Sequence, residues 1–225
     1  MGPRNPGGVI GRRAFLAGAV GVATGVVATG CATSPSAGNE FLAKTDRPPS
    51  GSPVLLAYFS RPGENYYYGG RKRLTVGNTE VVAEMIYQFI GCDVHRIEAA
   101  DTYPDDYTPA VERNVREQDT DARPAIANPL PGIERYGTVL LGSPIWNVRA
   151  PMIMSTFTDS LDLTGKVIHP FTTHAMSGLG NTERDYAASC PGATLGEGLA
   201  VRGEEAADAR ADVEAWLRRI GLLTR

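Results

Sequence analysis

The sequence predicts an α/β domain built on a doubly wound parallel sheet, and three observations carry that reading. Short β-rich runs at residues 54–59, 93–98, 138–142, 166–172 and 198–201 alternate with amphipathic segments, the pattern of a parallel sheet covered by helices on both faces. Near the end of the chain Val213, Trp216, Leu217 and Ile220 fall at i, i+3, i+4 and i+7, one apolar stripe of a closing helix in which Trp216 is a core side chain. Loops rich in glycine and small polar residues follow the first and fourth runs, and a proline-bracketed loop with a large aromatic follows the third. In such a sheet a ligand sits beyond the carboxyl ends of the strands, where strand order reverses, so the residues just after each strand are the candidate site.

The chain before residue 53 is read separately. Gly11-Arg12-Arg13-Ala14-Phe15-Leu16 is a twin-arginine element, and the apolar stretch 14–27 behind it is too short to span a bilayer, so residues 1–31 read as an export signal. It ends in Ala28-Thr29-Gly30-Cys31, which resembles a bacterial lipoprotein processing box. A lipid anchor on Cys31 and a place in the cell envelope are therefore expected, with a plain signal peptide and an incidental Cys31 as the alternative. Residues 32–52, rich in Pro, Ser and Gly, read as a flexible tether, and 53–225 as one domain with a sizeable core. The net charge of −3 and the lack of a basic, aromatic-interleaved block exclude nucleic acid as an expected partner. Cys92 and Cys190 either pair or lie as two buried thiols, and His95, His169 and His174 are too scattered to suggest a metal site.

Taken in order, the first strand, 54–59, leads into "SRPGENYYYGGRKRLTVGNTE", Ser60 to Glu80, before a helix expected at 81–90. Strand-to-helix connections usually take a handful of residues, and this one has about twenty. At its two ends stand Ser60 and Gly77-Asn78-Thr79; Asn78 or Thr79 suits the helix cap, and hydroxyl and amide groups at a helix start make a site for an anion such as phosphate. Either they do that or they are caps alone. Arg71-Lys72-Arg73 either adds charge to that site or is solvated. After the third strand, Ser143-Pro144-Ile145-Trp146-Asn147-Val148-Arg149-Ala150-Pro151 presents an aromatic ring and an amide at the ligand edge, with Pro151 at the first position of the next helix. Trp146 is either core cover or a platform for a flat ring. After the fourth strand, residues 172–182 let backbone approach a ligand and offer N–H and C=O groups to a polar ring edge. Ser177, His174 and Asp185 lack the G-x-S-x-G elbow and the usual order of a hydrolytic triad, and are set aside.

These loops resemble the flavodoxin-like family, in particular its bacterial branch with a long first loop of the form "GENY...GG...L.VGNTE". The likeness is carried by Ala57-Tyr58-Phe59-Ser60, Gly63-Glu64-Asn65-Tyr66, Val76-Gly77-Asn78-Thr79-Glu80, Gly142-Ser143-Pro144-Ile145-Trp146 and Gly178-Leu179-Gly180-Asn181, with Cys190-Pro191-Gly192-Ala193-Thr194 and Glu197-Gly198-Leu199-Ala200 behind them. The resemblance implies a five-stranded parallel sheet in the order 2-1-3-4-5 and flavin mononucleotide (FMN) at the ends of strands one, three and four. It implies that Ser60, Arg61, Asn78 and Thr79 hold the phosphate, and that Pro144, Ile145, Trp146 and Asn147 line one side of the isoalloxazine, with Trp146 against it. Thr173, His174, Ser177, Gly178 and Gly180 then line its other side and polar edge. Residues 66–74 become an insertion beside the flavin or a partner. Relatives commonly carry Tyr before Pro144, then a second Trp and Gly where Asn147 and Val148 stand, so the surroundings of the flavin's reactive edge are altered here. The expected function is an FMN redox protein, either an electron carrier or a reductase of a quinone-like acceptor, with His174 able to assist proton transfer. The sequence identifies neither electron donor nor acceptor. A deazaflavin has the same shape requirements, and the competing reading is a tethered binding protein on the same fold without cofactor.

Overall fold

The computed structural model describes residues 53–224. The twin-arginine segment, Cys31 and the expected tether lie outside the described residues. Strands β1 (Val54–Tyr58), β2 (Gly63–Tyr67), β3 (Gly70–Leu74), β4 (Asp93–Arg96), β5 (Thr138–Pro144), β6 (Val167–His174), β7 (Thr194–Leu195) and β8 (Leu199–Arg202) interleave with helices α1 (Asn78–Ile90), α2 (Tyr107–Asp119), α3 (Met152–Asp159), α4 (Thr182–Ser189) and α5 (Arg210–Arg219). The main sheet runs β4-β1-β5-β6, with β7 and β8 sharing the far side of β6, and every pairing in it is parallel. Counting the main-sheet strands alone, this is the expected 2-1-3-4-5 order. The first strand pairs with the second on one side and the third on the other, so the order reverses at β1.

Side-chain alternation sorts the apolar strands into two cores. Leu55, Ala57, Val139, Leu141 and Ile168 join Ile153, Met154, Phe157 and Tyr186 on one face. Leu56, Tyr58, Leu140 and Phe171 join Val82, Ala83, Ile86, Val213, Trp216 and Leu217 on the other. Trp216 is fully buried, as its place in the apolar stripe predicts. Cys92 belongs to the second core and Cys190 to the first, so they are two buried thiols on opposite faces of the sheet.

The fifth sheet position departs from the sequence expectation of one strand over 198–201. Residues 196–198 stand opposite only 169 and 170, a bulge that splits the position into β7 and β8. Pro170 has no N–H for the ladder there, and the displaced Glu197 carbonyl accepts instead from Trp216 Nε1 at 3.0 Å, with His169 Nδ1 also at 3.0 Å. Gly196 is required by the His169 ring, from which a Cβ would stand 2.2 Å away.

One segment left without a conformation acquires one, and two local expectations are corrected. The middle of the long first connection is a β2–β3 antiparallel hairpin, turned by Tyr68 (φ 45°) and Gly69 (φ 84°), the left-handed pair of a type I′ turn. Helix α1 begins at Asn78 rather than at residue 81, and its N-cap is Gly77, so neither Asn78 nor Thr79 caps it. The capping oxygen comes from across the connection, because Ser60 Oγ accepts from the Glu80 N–H at 3.1 Å. Pro151 is the N-cap of α3, so the helix begins at Met152, one residue later than expected.

Among the described residues no helix is long and apolar enough to cross a membrane. Gly142 lies directly opposite Phe171 in the β5–β6 ladder, and a Cβ there would stand 2.0 Å from a ring atom of this fully buried side chain. Gly142→Ala is predicted to lower unfolding free energy by roughly 1–3 kcal/mol through overpacking; a urea midpoint equal to that of the parent, at equal slope, would count against the packing described.

Candidate functional site

A cavity of about 510 Å³ opens beyond the carboxyl ends of β1, β5 and β6, where the strand order reverses. Of the sequence-predicted residues, Ser60, Arg61, Asn78, Thr79, Pro144, Ile145, Trp146, Asn147, Thr173, His174 and Ser177 line it. Gly178 and Gly180 do not. Gly178 offers its carbonyl to Thr172 Oγ1 at 3.1 Å, and Gly180 packs so closely on the Val148 carbonyl that a Cβ would approach to 2.4 Å. They shape the loop from behind.

One end of the cavity is polar. Ser60, Thr79 and Thr173 are buried, and Thr79 Oγ1 and Thr173 Oγ1 share a 2.7 Å hydrogen bond that joins the start of α1 to the end of β6. The first N–H groups of a helix have no intrahelical partner, and α1 begins at this wall. Gly77 lets the helix start come this close: a Cβ would stand 2.3 Å from Ser60 Oγ and 2.7 Å from the Arg61 carbonyl. Arg61 is also at this end, with its terminal nitrogens committed to backbone. Nη1 donates to the carbonyls of Pro104 (2.9 Å) and Asp105 (3.0 Å), and Nη2 donates to that of Glu64. Its Nε is buried with no hydrogen-bond partner, and burial holds its pKa below the usual guanidinium range, with Asp105 and Glu64 opposing. Arg71-Lys72-Arg73 is absent from the cavity lining: these side chains pair with Glu64, the Tyr67 ring and Asp106 on the outer side of the hairpin.

The other end is aromatic and apolar. Trp146 covers core and also faces the cavity. It lines the cavity and packs edge-on against Phe59 and Tyr103, at ring separations of 5.8 and 5.2 Å. Its loop is a tight turn closed by Trp146 and Arg149, with Asn147 at φ 49° and Val148 at φ 60°. Gln118 on α2 braces the turn, donating to the Trp146 carbonyl at 3.0 Å and accepting from Asn147 Nδ2 at 3.0 Å. The Asn181 N–H reaches the Val148 carbonyl at 2.8 Å and ties the two ring-side loops together.

Helix α2 is the wall that sequence reasoning missed. Tyr107, Ala110, Val111, Asn114 and Val115 line the cavity at i, i+3, i+4, i+7 and i+8. That periodicity is visible in the sequence, but it looks like an ordinary core stripe. Val111 and Val115 remain 41% and 39% exposed, and across the mouth stand Val148 at 51% and Met176 at 78%. Asn65 and Tyr66 on β2 and Glu204 after β8 complete the enclosure; Glu204 Oε1 accepts from the Tyr68 N–H at 3.0 Å and holds the hairpin tip.

His174 lines the cavity with Nδ1 buried and unpartnered, and burial, then Arg202, lowers its pKa, which keeps the imidazole neutral at pH 7. Asp185 is ion-paired with Arg149 (3.3 Å) and Arg184 (2.9 Å), so no Ser-His-Asp triad assembles. Among the described residues no group of His, Cys, Asp and Glu is arranged to hold a metal.

Val148 is β-branched at a left-handed φ, a conformation that costs of order 1–3 kcal/mol for such residues. Val148→Gly removes that cost against a smaller entropy loss, so unfolding free energy is predicted to rise by about 1 kcal/mol in a denaturant titration. A fall would show that the turn does not hold this conformation.

A family model described as Flavodoxin matches residues 73–220, well over half of the 225-residue chain. Among solved structures, the chain is similar to a candidate flavoprotein from Bacteroides eggerthii, with 28% identity and a TM-score of 0.60 over 76% of this chain and 98% of that one. It is similar to another from Bacteroides uniformis at 26% identity and a TM-score of 0.58, over 75% of this chain and 99% of that one. A flavoprotein from Lactobacillus acidophilus solved in complex with FMN shares the fold at 17% identity and a TM-score of 0.52, over 72% of this chain and 99% of that one. No curated protein matches the sequence. By the family match and the reversed-order parallel sheet together, the chain belongs to the flavodoxin family.

Proposed function

We propose that the cavity binds FMN and that the protein is a redox protein reducing a small, apolar, quinone-like acceptor. The observation that carries this is the division of one cavity into a polar end, with a buried guanidinium and a helix start, and an aromatic end. A phosphate monoester matches the first and a flat conjugated ring the second. The Lactobacillus acidophilus relative is described in complex with FMN. Ser60, Asn78, Thr79 and the start of α1 hold the phosphate, with Arg61 supplying positive charge. Trp146 and the turn behind it orient the ring, and the backbone of residues 173–177 meets its polar edge.

Bound FMN supplies transfer of one or two electrons, and the chain supplies binding, orientation and control of protons. Neutral His174 can accept a proton at its buried Nδ1. The apolar side chains at the mouth support a reductase over a carrier: a carrier docking a protein partner uses a charged rim, whereas Val111, Val115, Val148 and Met176 favour a small uncharged molecule. The twin-arginine element and Cys31 support a place in the cell envelope, tethered by lipid through residues 32–52. Electrons then come from a donor outside this chain.

Purified full-length chain is predicted to quench FMN fluorescence in a titration, and Asn78→Ala with Thr79→Ala to weaken binding at least about tenfold through lost hydrogen bonds to a charged group. A colourless protein that takes up no FMN would overturn the proposal in favour of a binding protein without flavin. With FMN bound and reduced, Val111→Asp with Val115→Asp is predicted to slow reoxidation by a soluble benzoquinone, while FMN affinity stays within a few-fold. Equal reoxidation rates would remove α2 from the acceptor's path.

A further inference from the structure

Arg61 is 8% exposed and lines the cavity, yet its three hydrogen-bond acceptors are carbonyls rather than carboxylates. Its Nε is buried without a partner, and the Asp105 and Glu64 carboxylates act on its charge without hydrogen-bonding it; a buried cation so placed is stabilised further by an approaching anion. Its carbonyl partners belong to two further segments. Glu64 is in hairpin strand β2, and Pro104 and Asp105 precede α2. The guanidinium is therefore a buried rivet through the turn after β1, the hairpin and the start of α2.

The hairpin has other ties, among them the exposed bond from the Tyr68 N–H to Glu204 Oε1 at its tip (3.0 Å). Arg73–Asp106 (2.7 Å) is an exposed ion pair of the sort that contributes little, and Arg71–Glu64 (3.4 Å) joins only the hairpin's own two strands. The Glu64 N–H donates to the Asp105 carbonyl at 2.7 Å, and the Glu64 carboxylate accepts from the Tyr107 N–H at 3.1 Å. Both join the same two segments that Arg61 bridges. Asn65 and Tyr66, carried on that hairpin, form part of the cavity wall.

We propose that Arg61 is a positioning residue that makes hairpin closure and anion binding one event: a phosphate monoester in the cavity neutralises the buried guanidinium, and the guanidinium so paired keeps the hairpin clamped against α2. Releasing the hairpin is the direct way to rehydrate an unneutralised Arg61. The coupling is reciprocal, so whatever factor the anion contributes to closure, closure contributes to anion affinity. The inference rests on the reading of the polar end as a phosphate site, but not on the identity of the ring.

The chain carries its own reporter, because Arg71, Lys72 and Arg73 in β3 are trypsin sites and open only when the hairpin does. On full-length protein, FMN is expected to slow cleavage in β3 roughly tenfold or more, the scale of one charge-assisted contact. Inorganic phosphate should act in the same direction, and riboflavin, which lacks the phosphate, should not. Arg61→Gln should leave β3 open whether or not FMN is added, while cleavage after Arg218 and Arg219 in α5 reports that the core remains folded. Arg61→Lys keeps the charge but not the fork, so it should still prefer FMN over riboflavin while β3 stays open. If the Gln variant loses its core, the Lys variant decides. Equal protection by riboflavin and FMN, or β3 as resistant in both variants as in the parent, would overturn the coupling. Protection by phosphate with no binding of FMN would overturn the flavin proposal and leave the coupling standing; protection by neither would overturn the coupling itself.

Discussion

The architecture of the site depends on how closely the start of α1 approaches the turn after β1. Gly77 is the point of contact, and any side chain there would collide with Ser60 and the Arg61 backbone. That proximity lets Ser60 cap a helix twenty positions further along the chain. It also fixes the direction in which Arg61 leaves the strand, into the carbonyls that hold the hairpin and the entrance to α2. A chain that must return to its starting point after so long an excursion needs a marker for the place, and the missing Cβ is that marker.

The strands were legible where burial on both faces writes a continuous apolar run, as in β1 and β5. The hairpin was not, because β3 is Gly-Arg-Lys-Arg-Leu and exposed, with its stability drawn from partners outside the strand. The fifth sheet position looked like one strand because a bulge depends on the neighbour across the ladder, here Pro170, and not on the strand's own composition. Of the site, the loops after β1, β5 and β6 could be read because each follows its strand directly. The contribution of α2 could not, since Val111 and Val115 have the spacing of core residues and only tertiary placement turns them to the cavity. Asn78 and Thr79 line the polar end of the cavity, but the capping read for them belongs to Ser60.

The Trp146 turn holds side chains in a backbone conformation that glycine adopts more easily. Two successive non-glycine residues occupy left-handed backbone there, and the turn is held by Gln118, Asn181 and the close approach of Gly180. Strain of this kind persists where surroundings over-determine a conformation, as at functional sites. It leaves the indole anchored on Phe59 and Tyr103 while still exposing part of it to the cavity.

The two thiols lie on opposite faces of the sheet, with its full thickness between them. No rotamer change can bring Cys92 to Cys190, so the described domain reaches its native packing with no covalent cross-link to form. Within the folded domain these two thiols therefore cannot pair with each other in reducing or in oxidising surroundings.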